Sequence, residues 1–357
     1  WEHHGYEEHT MQSFINRRQF LKLGAAALAW VLSHKVPGLE ASAALASSFE
    51  LDSLPDFLPP PASLGRIINA RQPIVRAPSP TAELVEWKAR DEVIPLKATL
   101  LGEAPWPSNP VWYFTEGGFI HSAYVHPSEN LLQTDIVTDV AAPGFWAEVT
   151  VPLAISRSTP DSPYAGRRLY YETTYRVVDA MQDEGGEWWY QLQEGLAWAP
   201  GPYAPAAMLR PITREDLAPI SLGHPDKWLL LDISDQMLTC FEGQTPVFST
   251  PVASGLWDTA TPLGEFRILY KRHAQRMIGD GYDLVGVAFP SYFTNSGVAI
   301  HGTYWHNDYG RRHSHGCLNV PSRAARWVFR WVEPYVPYEL YTYRSTPEEG
   351  TRVVVVA

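Results

Sequence analysis

The sequence predicts a mainly β protein: two small β-barrels, then a larger β-rich domain with one clear helix. Three observations carry that expectation. From about residue 71 onward, short apolar and aromatic runs alternate with turn residues, hairpin after hairpin, with little helical periodicity. The 357 residues include 31 prolines, 14 tryptophans and 18 tyrosines, which suits short strands and frequent turns. Only Ser322–Val332 sets apolar residues (Ala325, Val328, Phe329, Val332) at the three-and-four spacing of one helix face. With 45% hydrophobic and 19% charged residues, the chain has material for two or three real cores. A net charge of −11 argues against a nucleic-acid partner, and two cysteines exclude a disulfide scaffold.

Taken in order, residues 11–46 read as an export signal. Arg17-Arg18 precede a modest apolar run, Leu23 to Leu32, too short to span a bilayer as a mature helix. Small-residue cleavage sites follow at Ala41-Ser42-Ala43 or Ala44-Leu45-Ala46. The paired arginines make the stretch resemble a twin-arginine signal, so the protein is expected to be exported to the cell envelope and to meet the membrane only in transit. Met11 reads as the start, with Trp1–Thr10 upstream of it. Residues 47–70, with Leu58-Pro59-Pro60-Pro61-Ala62, read as a proline-rich spacer.

Residues 71–130 and 145–213 read as two copies of one small β unit, joined by a connecting segment at 129–144. Val111-Trp112-Tyr113 followed by Gly118-Phe119-Ile120-His121 in the first is matched by Trp188-Trp189-Tyr190 followed by Gly195-Leu196-Ala197-Trp198 in the second. The order resembles bacterial Src-homology-3-like modules, which implies a cell-wall ligand for one or both copies. The plainer alternative is that these aromatics are core. Residues 224–357 form the third unit. Trp228–Ile233, Met237–Phe241, Pro246–Ala253 and Val353–Val356 read as its strands, in an antiparallel arrangement.

Candidate chemistry concentrates in this third unit. His301 follows the apolar run Val298-Ala299-Ile300, and Cys317 precedes the helix in Ser314-His315-Gly316-Cys317-Leu318-Asn319. A free thiol has a pKa of roughly 8.5, so a thiol nucleophile at neutral pH needs a base. His301 is the candidate base, with the Gly302 carbonyl fixing its tautomer in place of a carboxylate. The backbone N–H groups of Gly316 and Cys317 are the candidate oxyanion donors. His315 is placed to tune the site or touch substrate, and Ser314 and Asn319 to shape the loop by local hydrogen bonds. Tyr304 and Trp305 are candidates for a wall of the cleft. Cys240, inside a strand, reads as a buried small hydrophobe.

These strings, together with Thr261-Pro262-Leu263-Gly264-Glu265-Phe266, resemble the signature of L,D-transpeptidases of the YkuD-domain family over about Lys227 to Ala357. The resemblance implies a β-sandwich catalytic domain whose cysteine attacks a peptidoglycan tetrapeptide stem at the carbonyl before the terminal D-alanine. D-Alanine leaves, and an amine of a second stem resolves the thioester. No metal or organic cofactor is implied, and peptidoglycan stem peptides are the expected partner. Three alternatives stand beside it. Water could resolve the thioester, making an L,D-carboxypeptidase. The chain could be a non-catalytic wall-binding protein. His301, His306, Asp308, His313, His315 and Cys317 could ligate zinc, although their spacing matches none of the usual zinc patterns.

Overall fold

Period-two burial builds the chain into sheets. In Lys227–Asp232, Leu229 and Leu231 are fully buried while Trp228, Leu230 and Asp232 are half-exposed, the alternation of a strand with one face on a core. The computed structural model describes residues 61–193, 201–279, 281–344, 346 and 349–357. The export signal, the spacer up to Pro60 and the Gly195–Trp198 part of the repeat lie outside the described residues.

Three β units follow one another. The first has a five-stranded sheet in the order Leu84–Ala89, Arg71–Val75, Gly118–His121, Val111–Thr115, Ala98–Leu101, and a three-stranded sheet of Val93–Pro95, Leu64–Ile67 and Val125–Ser128. The second has a five-stranded sheet, Tyr203–Pro205, Trp188–Gln193, Thr174–Gln182, Phe145–Val149, Leu209–Ile212, beside the pair Leu153–Ile155 and Arg168–Tyr170. In both, a one-turn 3₁₀ helix (Ser122–Tyr124, Ala206–Met208) precedes the last strand.

Two sequence expectations need correction here. The units are pairs of open sheets, not closed barrels. In the first unit the 3₁₀ turn at Ser122–Tyr124 swings the chain out of the large ladder, so Val125–Ser128 pairs with Leu64–Ile67 in the small sheet. That pairing also moves the unit's start: Leu64–Ile67 fell within the expected spacer 47–70, yet it is the central strand of the small sheet. Its four residues, Leu-Gly-Arg-Ile, carry too little alternation to be seen in a proline-rich neighbourhood.

The third unit stacks two five-stranded sheets. One runs Thr245–Pro251, Met237–Glu242, Lys227–Asp232, Arg352–Val356, Gly264–Arg267. The other runs Leu318–Val320, Ala299–Gly302, Ser291–Tyr292, Tyr270–Arg272, Thr342–Arg344. A separate hairpin joins Ala274–Gly279 to Tyr282–Ala288. The sheets are not wholly antiparallel as the sequence led one to expect. Lys227–Asp232 pairs in parallel with Arg352–Val356, and Ala299–Gly302 with Leu318–Val320. Parallel neighbours need long crossovers, so no local turn signal announces them.

The helix Ser322–Trp331 buries Ala324, Ala325, Val328, Phe329 and Trp331 in a core shared with Leu229, Leu231, Val353, Ile300 and Leu318. Its C-terminal carbonyls are held by two buried lysines. Lys271 Nζ donates to the Phe329 and Val332 carbonyls, and Lys227 Nζ donates to the Trp331 carbonyl at 3.2 Å. Both satisfy carbonyls that the helix end leaves without an intrahelical partner, and burial lowers both ammonium pKa values, that of Lys271 well below its ordinary value. Trp146 of the second unit joins this core, whereas its neighbours Ala147 and Val149 face their own. Its ring stacks on His273 at 4.5 Å, so the second and third units share packing.

Burial depresses several imidazoles, those of His126 and His273 to about 3 and that of His301 to about 4. Each is neutral when folded but takes a proton near pH 6.5 when unfolded. The unfolded state therefore binds more protons below pH 6.5, and stability is lost as pH falls from there toward 4, at up to about 1.4 kcal/mol per pH unit for each group. Thermal melts at pH 7, 5.5 and 4 are expected to show a steadily falling Tm. A flat Tm over that range would contradict this burial.

Candidate active site

The second sheet of the third unit assembles the site. Ala299–Gly302 is buried along its whole length, flanked by Ser291–Tyr292 on one side and Leu318–Val320 on the other. The parallel register sets Ile300 beside Leu318 and His301 beside Asn319. Cys317 is the bend residue directly before Leu318–Val320, the strand that pairs with His301's own, and it lies against the backbone of Gly297 and Ala299.

His301 is buried, with Nδ1 3.0 Å from the Gly302 carbonyl oxygen. That carbonyl can only accept, so Nδ1 carries the ring proton and Nε2 is left as the basic atom. Burial depresses its pKa to about 4, partly countered by this bond. The ring is therefore neutral and able to accept a proton at pH 7. Cys317 is half-buried, with Sγ 3.8 Å from the Gly297 carbonyl. Burial raises its pKa, while a hydrogen bond from the Ala299 backbone favours the anion. The resting pair is thus thiol plus imidazole, and the thiol proton has to move during attack.

The loop before Cys317 is pinned from several directions. Ser314 Oγ donates to the Cys317 carbonyl and accepts the Gly316 N–H at 3.1 Å. The Thr261 hydroxyl donates to the Gly316 carbonyl at 2.8 Å and accepts the Gly255 N–H at 3.0 Å. Gly316 sits at φ +117°, a backbone setting that favours glycine. Alanine there is expected to cost about 1–2 kcal/mol of stability. It is also expected to slow Cys317 acylation about tenfold; a variant with unchanged Tm and unchanged acylation would show the turn to be unstrained.

The other candidates divide. Asn319 is buried, and its amide lies 2.7 Å from His306 Nε2, while His306 Nδ1 accepts the Asp308 N–H at 3.2 Å. Asn319 therefore ties the strand Leu318–Val320 to the 303–316 loop. His315 is exposed, its ring 5.2 Å from that of Tyr282. Trp305 is half-buried, with its ring 5.7 Å from His301. Tyr304 is buried and packs on Tyr170 at 5.1 Å, so its ring sits behind Trp305 as support. The Gly316 N–H is taken by Ser314, whereas the Cys317 N–H forms no hydrogen bond among the described residues, which leaves it as the available oxyanion donor. Among the described residues no three histidines, cysteines or carboxylates converge as a metal-binding group; His306 and His313 meet ring to ring at 4.3 Å. Cys240 is fully buried in the core.

Sequence reasoning did not commit to Tyr282, whose hydroxyl pKa is raised by burial and by the nearby Cys317. It also missed Arg66, whose Nη2 donates to the Tyr304 carbonyl at 2.6 Å. No local pattern signals a contact spanning 238 residues.

The fold and site define a β-rich domain with a neutral imidazole on one strand and a thiol in the bend that leads into the neighbouring strand. Residues 226–355 match the YkuD family model, described as the L,D-transpeptidase catalytic domain. Among solved structures, an Enterococcus faecium L,D-transpeptidase aligns at 25% identity over 37% of this chain and 50% of that one, with a TM-score of 0.31. The catalytic domain of an E. faecium L,D-transpeptidase, solved by NMR, aligns at 26% identity over 37% of this chain and 97% of that one, with a TM-score of 0.30. A Mycobacterium tuberculosis L,D-transpeptidase aligns at 18% identity over 45% and 69%, with a TM-score of 0.32. The chain spans about half the length of the first two solved structures it matches. No curated protein matches it.

Proposed function

We propose that the protein is an exported L,D-transpeptidase that remodels peptidoglycan through a thioester on Cys317. The observation that supports this reading is that Cys317 directly precedes Leu318–Val320, the strand paired with His301's own, inside the matched domain. In the proposed reaction, Cys317 Sγ attacks the donor carbonyl before the terminal D-alanine while His301 Nε2 takes the thiol proton. The Cys317 N–H stabilises the oxyanion. Collapse breaks the amide bond, His301 returns its proton to the departing amine, and D-alanine leaves. An acceptor amine then attacks the thioester, giving its proton to His301, and the thiol is restored. The two N-terminal β units are proposed as Src-homology-3-like modules for a wall ligand. Among the described residues no helix is long and apolar enough to cross a membrane; export rests on the twin-arginine pattern at Arg17-Arg18.

Product analysis with a tetrapeptide donor, with and without an added stem bearing a free amine, tests the acceptor. Cross-linked dimer with D-alanine release is the expected result. Tripeptide alone, even with the amine in excess, would favour the L,D-carboxypeptidase. Wall binding without either product would favour the non-catalytic reading.

A further inference from the structure

A cleft of about 650 Å³ opens where all three β units meet, and its charge is opposite to that of the chain. The protein carries a net −11, yet Arg66 and Arg90 of the first unit and Arg167 and Arg168 of the second line this cleft, against one lining carboxylate, Asp283 of the hairpin. A concave site with fixed positive charge in an acidic protein concentrates field on an anionic ligand.

Arg66 is held rigidly. It is 2% exposed, with Nη1 on Asp91 at 2.9 Å, its face over the Tyr170 ring at 4.0 Å, and Nε without a hydrogen-bond partner. Arg168 reaches the other oxygen of Asp91 at 3.3 Å, and Arg167 pairs with Asp283 at 3.0 Å. Arg90 has no ion-pair partner among the described residues, so its guanidinium is free for a bidentate contact. The cleft wall is packed against the candidate base through a run of rings. Tyr170 packs on Tyr304 at 5.1 Å, Tyr304 meets Trp305 at 5.0 Å, and Trp305 meets His301 at 5.7 Å.

We infer that this three-unit cleft binds the free glutamyl α-carboxylate of a stem peptide and thereby holds that peptide beside His301. The inference rests on the transpeptidase reading for the identity of the peptide. The N-terminal units then help to form the substrate site rather than serving only as wall anchors. Arg90 and Arg168 supply the charge, Arg66 and Tyr170 the rigid floor, and Trp305 the passage to the reacting end. Donor and acceptor stems both carry this carboxylate, and the turnover arm of the test distinguishes them.

The test uses the full chain as Cys317→Ala, so that binding is read without turnover. The probe is fluorescein-labelled L-alanyl-γ-D-glutamyl-L-lysyl-D-alanine, alongside the same peptide amidated at the glutamyl α-carboxyl. Adding Arg90→Ala and Arg168→Ala is expected to raise Kd for the acidic peptide about tenfold, with the effect shrinking between 0.05 and 0.5 M salt, and to leave the amidated peptide nearly unaffected. An unchanged Tm establishes that the double variant is folded. In turnover by the protein with Cys317 intact, the same two substitutions are expected to raise KM for the donor if the donor occupies the cleft, or for the acceptor if the acceptor does. Equal losses for both peptides, or no loss for either, would overturn the inference, as would arginine-dependent binding of poly(glycerol phosphate) but not of the peptide. Arginine-dependent peptide binding in a protein that never turns over would uphold the cleft and remove the transferase reading; turnover with arginine-independent binding would do the reverse.

Discussion

Replacing Cys317 with alanine is expected to abolish D-alanine release, a loss of at least about 10⁴-fold, because it removes the thiol that carries the acyl group. Cys240 is no substitute: it is fully buried, and burial raises its thiol pKa well above the ordinary value. The loss is expected without a change of fold, since the Cys317 side chain is half-exposed and contributes little to the core. Serine at the same position is expected to be nearly as inactive. A hydroxyl is harder to ionise than a thiol, and the neutral His301 imidazole, with its depressed pKa of about 4, is too weak a base to activate it. Far-ultraviolet spectra and melting curves matching the wild type, with D-alanine release at background, form the expected pair of readings.

His301→Gln is expected to slow acylation by about 10²–10⁴-fold while leaving donor binding almost unchanged. Glutamine keeps a donor for the Gly302 carbonyl but cannot receive the thiol proton. The pH profile gives an independent check. Because His301 is depressed to about 4, it stays in its neutral, base-competent form down to that pH. The acid limb of kcat/KM for the wild type is therefore expected near pH 4, well below the 6.5 of an unburied imidazole. Activity should be measured within the time the protein withstands acid, since the same burial lowers stability over that range. An acid limb at 6.5 would mean that His301 is solvated in the working enzyme, or that another group is the base.

How much of this was legible in the sequence follows from the range of the interactions. The helix at Ser322–Trp331 was readable because its periodicity is local, and the face formed by Ala325, Val328 and Phe329 is the buried one. The cluster Ser314 to Asn319 was conspicuous as a contiguous string, and its internal bonds, such as Ser314 Oγ with the Gly316 N–H, span two or three residues. What escaped was everything set by distant partners. The parallel pairing of Ala299–Gly302 with Leu318–Val320 is produced by a crossover, not a turn. The strand Leu64–Ile67 acquires its identity only from Val93–Pro95 and Val125–Ser128. Tyr304 read from sequence as a cleft wall or as plain packing, and its contacts to Arg66 and Tyr170, contributed by the other two units, had no local signal. The Gly316 N–H looked free for an oxyanion until the fold directed it at a serine hydroxyl.

Intact-mass analysis of the purified protein after incubation with a stem tetrapeptide tests the central claim most directly. The account predicts one added tripeptide acyl group, mapped by digestion to Cys317, with one D-alanine released per chain, and neither in Cys317→Ala. An unmodified wild-type protein, or an adduct that survives the loss of Cys317, would contradict it.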